Sequence, residues 1–133
     1  MRLPRWWSLL GERLREILKG TSAEDLAEPL ENLIRELIEW YEPLVVVIAG
    51  SLAKGKFVRG LSDLDILVIV DYPVRDEERF SLAPLNDVDV EITVVSREEL
   101  EKAIVVGNEF YLDAVRNGRV VYAREGAALP VTL

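Results

Sequence analysis

The chain contains no cysteine and no histidine among its 133 residues. The first absence removes disulfides, zinc–thiolate sites and thiol nucleophiles together. The second removes serine–histidine hydrolysis, imidazole general bases and the commonest transition-metal ligand. Glutamine is also missing, and methionine stands only at position 1. No apolar run approaches the roughly 18–20 residues needed to span a bilayer. Glu12, Arg13, Arg15 and Glu16 interrupt the N-terminal stretch that a secretory signal would keep apolar. A soluble, cytoplasmic protein is expected. Its chemistry is left to carboxylates, hydroxyls, lysine, arginine, tyrosine and backbone amides, a set that suits hard, oxygen-seeking cations.

What is present is ample for folding. Half the residues are apolar and 30% are charged, which argues against disorder and low complexity. The length fits one domain spanning residues 1–133. The net charge of −8 is wrong for a stand-alone nucleic-acid binder, which needs a basic footprint. The charge is uneven, because Arg2, Arg5, Arg13, Arg15 and Lys19 against Glu12 and Glu16 make the first 19 residues basic. Many Glu and Arg with no Gln is also a composition expected of thermophiles.

Periodicity orders the elements. Trp6, Leu10, Leu14, Ile17 and Leu18 form one stripe, predicting a basic amphipathic helix over residues 1–20 that Gly20 ends. Trp6 and Trp7 read as core or lid side chains. A second helix is expected from about Thr21–Ser22, with Pro29 opening a fresh turn and Pro43 closing the element. Trp40, Tyr41 and Tyr111 read as helix packing. Leu44–Ala49 and Leu64–Val70 read as buried strands. In Val88–Val95 the apolar residues alternate with Asp89, Glu91 and Thr93, so one sheet face meets helices and the other meets solvent. Residues 71–86 are expected to hold a turn or a short helix. Ser96 with Glu99 marks a capping box for a helix to about Val106. Another helix follows from Asn108 to Arg116, and a strand over Arg119–Ala123. The fold class expected is α+β: a small mixed β-sheet with helices packed on one face.

The chemistry concentrates between residues 50 and 65, with residues 44–95 supplying the strands. Gly50-xxxx-Gly55-Lys56 after a strand matches most of a phosphate-binding P-loop. That reading fails on two counts: Phe57 replaces the hydroxyl that would hold magnesium, and Gly60 and a new strand arrive where a long helix is required. The second reading joins Gly50-Ser51 to Asp63-x-Asp65. Residues two apart on a strand share a face, so both carboxylates can converge on divalent ions suited to in-line nucleotidyl transfer. A third carboxylate must come from a neighbouring strand, and Asp89 and Glu91 are both available. Gly50 lets the backbone approach a phosphate, and Ser51 offers a hydroxyl and an amide.

With Gly50-Ser51, the intervening loop, Asp63-x-Asp65 and a later acidic strand, residues 30–122 resemble the minimal nucleotidyltransferases of the DNA polymerase β superfamily. The resemblance implies that fold and magnesium-dependent transfer of a nucleoside monophosphate. Gly50, Ser51, Lys54 and Lys56 would hold the nucleotide, and Asp63 and Asp65 the metal. The third ligand and catalytic acid would be Glu91, favoured by the apolar run and Ser96 that follow it, with Asp89 as the alternative. Arg59 joins the two lysines as a group able to neutralise pyrophosphate. Eleven residues separate Ser51 from Asp63, one more than is usual in the family, and Glu91 stands where Asp is commoner. The resemblance further implies ATP or another NTP as substrate. It also implies a protein acceptor, such as the HEPN-type partner of a toxin–antitoxin pair. The alternative is a non-catalytic nucleotide- or partner-binding module with the same fold; an RNA-handling oligomer that uses the basic N-terminal helix is a third reading.

Overall fold

A computed structural model describes residues 5–124 and residue 127, with the side chains of residues 5–8 outside the description. The expected placement of Trp6 and Trp7 therefore lies outside the described residues. The chain order is α1 (Arg5–Leu18), α2 (Ala27–Tyr41), β1 (Val45–Ala49), α3 (Gly50–Ala53), β2 (Leu64–Val70), β3 (Phe80–Leu85), β4 (Val88–Ser96), α4 (Arg97–Val105), α5 (Glu109–Asn117) and β5 (Arg119–Ala123). The strands form one mixed sheet in the order β3-β4-β2-β1-β5, with β2 and β4 parallel and the other pairs antiparallel.

Local signals explain most boundaries. Gly20, at φ +76°, follows the end of α1. Between α1 and α2 the expected early helix is only a 3-10 turn, Glu24–Leu26. Pro29 lies in the first turn of α2, where its missing N–H leaves no helical bond unmade. Ser96 caps α4 by accepting the Glu99 N–H at 3.1 Å. Asn108 caps α5 by accepting from Tyr111 at 3.3 Å.

The larger core lies on one sheet face. Leu10, Leu14 and Leu18 of α1, with Leu30, Ile34 and Ile38 of α2, pack on Val46, Ile48, Ile66, Val68, Val90, Ile92 and Val94. The other face is partly covered as well. Val45, Val47, Leu67, Ile69 and Val95 meet Leu100 of α4 and Ala114 of α5. Helices thus lie on one face as expected, and a smaller helical cover is added on the second. The reason is visible in β4, whose in–out alternation stops at Val94 so that its last three residues are all buried. The rest of the second face carries the polar Asp65, Glu91 and Thr93 beside the exposed Phe80 and Leu82 of the edge strand.

Two expectations change in detail. Residues 71–86 hold a 3-10 turn, Asp76–Glu78, and also the strand β3. Pro84 hid that strand, but β3 is an edge strand, where a residue without an N–H is tolerated. Trp40 is 79% exposed. It points outward with Glu36 and Glu39, while Tyr41 packs against the larger core and Tyr111 against the smaller.

Candidate active site

The site begins where β1 ends. All five β1 residues are buried, so the chain can leave the sheet only beyond Ala49. It turns at Gly50, whose φ is +65°. A Cβ there would lie 2.0 Å from Oδ2 of Asp65. Glycine is therefore needed twice over, for its backbone angle and to make room for a carboxylate. The half-buried Ser51 follows in α3, which is a single turn of helix. So short a helix excludes the P-loop arrangement, as the sequence argued.

β2 then brings the acids in. Asp65 pairs with Ala49 of β1 on one side and with Glu91 of β4 on the other. The glycine turn, Asp65 and Glu91 thus lie on one line across three strands. Asp63 stands just ahead of β2 and is exposed. Asp89 is also exposed and lies outside the β2–β4 ladder, opposite Pro84 of β3. The structure therefore sets Asp65 beside Glu91, places Asp63 near enough to act on Asp65 by its charge, and leaves Asp89 further out. Among the described residues no three acidic side chains already close into a metal cage.

The carboxyl of Asp65 is pushed up to about 7, first by burial, then by its hydrogen-bonding contact with Glu91 and by the charges of Glu91 and Asp63, with Lys54 pulling the other way. The folded protein therefore holds a proton that the unfolded chain releases near the ordinary aspartate value of 3.8. This stabilisation is complete below that value and is lost as pH rises through about 7. Metal-free protein is expected to melt several degrees lower at pH 8 than at pH 5, and Asp65→Asn to flatten that dependence. Thermal melts of both proteins across this range in chelator check the difference.

The basic residues separate. Lys54 Nζ lies 3.2 Å from Asp113 of α5, beside the turn. Lys56 is exposed on the loop. Arg59 is committed elsewhere, to Asp87 at 2.6 Å, to Asp25 at 2.5 Å and to the Ser22 carbonyl at 2.9 Å. It ties the loop to the α1–α2 connection and the β3–β4 turn, a structural duty its position in sequence did not reveal. Buried Leu52 and Phe57 anchor the same loop.

Sequence reasoning missed a cleft of about 340 Å³ beside Glu91, lined also by Arg79, Phe80, Thr93, Phe110 and Tyr111. No spacing rule joins those positions, because β3 itself was not foreseen. Larger hollows of about 480 and 630 Å³ open at the far end of β2 and β4 and between α2 and β5, away from the acids.

A small mixed sheet, with a glycine turn and one-turn helix leading to an acid-bearing strand beside a parallel acidic neighbour, is the architecture of the nucleotidyltransferases. A family model described as nucleotidyltransferase domain matches residues 30–117, and the chain belongs to that family. No curated protein matches the chain. No helix among the described residues is long and apolar enough to cross a membrane.

Proposed function

We propose that the chain transfers AMP from ATP to a hydroxyl on a protein acceptor, using magnesium held by Asp63, Asp65 and Glu91. The observation that carries this reading is the adjacency of Asp65 and Glu91 next to a glycine turn that leaves no room for a Cβ. The donor set fits a hard divalent cation. It is all oxygen, and the Asp65 carboxyl, raised first by burial and then by Glu91 and Asp63 with Lys54 offsetting only part, is a group that a bound cation would help to ionise. When bound, magnesium supplies charge neutralisation for the phosphates and the leaving group. Asp89 remains the alternative third ligand, two residues before Glu91 and beyond the end of the β2–β4 ladder.

The chain's own residues divide the remaining work. The turn at Gly50-Ser51 presents backbone and hydroxyl to the terminal phosphates, with Lys54 and Lys56 nearby to offset their charge. The acceptor oxygen bonds to the α-phosphorus as the bond to the β-phosphate bridging oxygen breaks and pyrophosphate departs. The acceptor proton passes to Glu91 or to water, since no imidazole exists to take it. The acidic balance of −8 disfavours a nucleic-acid acceptor, while the protein acceptor, with a HEPN-type toxin partner as the proposed example, rests on the resemblance to minimal nucleotidyltransferases.

Two measurements test this. Pyrophosphate release from Mg-ATP is expected from the wild type and not from Asp63→Asn. Co-purification with the product of the adjacent reading frame, then intact mass, is expected to show AMP on that partner. ATP binding with no turnover on any protein acceptor would identify a binding module instead.

A further inference from the structure

We propose that the cleft between β3, β4 and α5 takes the nucleoside half of the nucleotide, with the ring of Phe110 as the platform for its base. The inference rests on the nucleotidyl-transfer reading and adds to it the part of the substrate that the phosphate and metal groups do not touch. Helix α5 gives the direction. Its Asp113 holds Lys54 beside the glycine turn, and Phe110, one helical turn earlier, lines the cleft. One helix therefore flanks both the phosphate end and the far end of the site. Glu91 belongs both to the acid pair and to the cleft wall, so the cleft adjoins the acids directly.

The lining suits a flat, uncharged group. Phe80, Phe110 and Tyr111 supply aromatic surface, and Thr93 supplies a hydroxyl. Phe110 packs edge-on against Tyr111, with centroids 5.2 Å apart at 74°, which steadies its ring. Phe110 is nevertheless 42% exposed and Phe80 53% exposed, so stackable surface remains. Arg79 is the cation of the cleft, and it is engaged by Glu99 and Asp76. A phosphate would find no uncommitted positive charge there among the lining residues, whereas a base needs none. The volume of about 340 Å³ falls at the small end of the roughly 300–1,000 Å³ range of small-molecule clefts.

Calorimetric titration of ATP and of inorganic tripolyphosphate, in magnesium buffer, separates the two halves of the ligand. Phe110→Ala is expected to weaken ATP on the order of tenfold, the scale of losing one base–aromatic stack, and to leave tripolyphosphate unchanged. Phe110→Trp is expected to restore ATP affinity. Unchanged ATP binding in Phe110→Ala would overturn the proposal, and would give the cleft to the acceptor if transfer fell at the same time. Equal weakening of both ligands would overturn it too, by showing a merely structural role. A wild type that binds neither ligand would sink the nucleotidyl-transfer reading itself, and this is seen before any variant is made.

Discussion

Asp65→Asn is expected to lower pyrophosphate release by roughly 10²–10³-fold or more, the scale of removing one group that stabilises transition-state charge, and to raise the melting temperature of the metal-free protein at pH 8. The opposite signs have one cause. Asp65 is half-buried, sits against Glu91 and feels Asp63, so keeping it ionised at neutral pH works against folding. An amide of the same shape carries no charge to repel and offers a poorer ligand to a cation. A residue present only for packing would lose stability on substitution, and a solvated surface acid would change neither quantity. Melts in chelator, repeated with added magnesium, check the stability arm. Magnesium should raise the melting temperature of the wild type and do little for the variant. A variant that is both active and unaltered in stability would remove Asp65 from the site.

Gly50→Ala is expected to damage the site through a single added methyl. At φ +65° the left-handed backbone costs an L-residue roughly 1–2 kcal/mol. The larger effect is local. The new Cβ would stand 2.0 Å from Oδ2, 3.0 Å from Cγ and 3.3 Å from Cβ of Asp65, so that carboxylate must swing aside. Displacing a reacting group by about an ångström costs on the order of 10²-fold in rate. The expected result is a folded protein, a few degrees less stable, with pyrophosphate release down by about that factor. Circular dichroism melts and the release assay together check it. Gly55 and Gly60 also have positive φ but meet nothing within 4 Å of an added Cβ. Gly55→Ala and Gly60→Ala should therefore show the backbone cost without the catalytic loss.

Much of this was legible in the chain. β2 falls on the expected residues, because an apolar run bounded by Ser-Asp and Asp-Tyr has few other ways to be buried. The cap at Ser96 was legible for a local reason, since a short polar side chain before an amphipathic run satisfies the first free N–H groups. The need for an acid from a neighbouring strand was legible, and the β2–β4 ladder gives the register, with Glu91 rather than Asp89 opposite Asp65. Register is a tertiary property, and the alternation of β4 alone left both acids on the same face. β3 escaped notice because Pro84 and an exposed pattern look like loop when edge position is unknown. Arg59 was grouped with the loop cations because its partners, Asp25 and Asp87, are 34 and 28 residues away in sequence. The aromatic cleft had no sequence signature, since its walls come from three separate segments.

The burial of α1 bears on where this chain can be cut. The nucleotidyltransferase match opens at residue 30, yet Leu10, Leu14, Leu18 and Leu26 ahead of it have no exposed surface at all. Burying each such leucine is worth about 1.5–3 kcal/mol, so together they rival the roughly 5–15 kcal/mol by which whole domains stay folded. A fragment trimmed to the matched residues would carry every acid of the site and an open, greasy flank. The stretch that betrays ancestry is shorter than the stretch over which these leucines are covered.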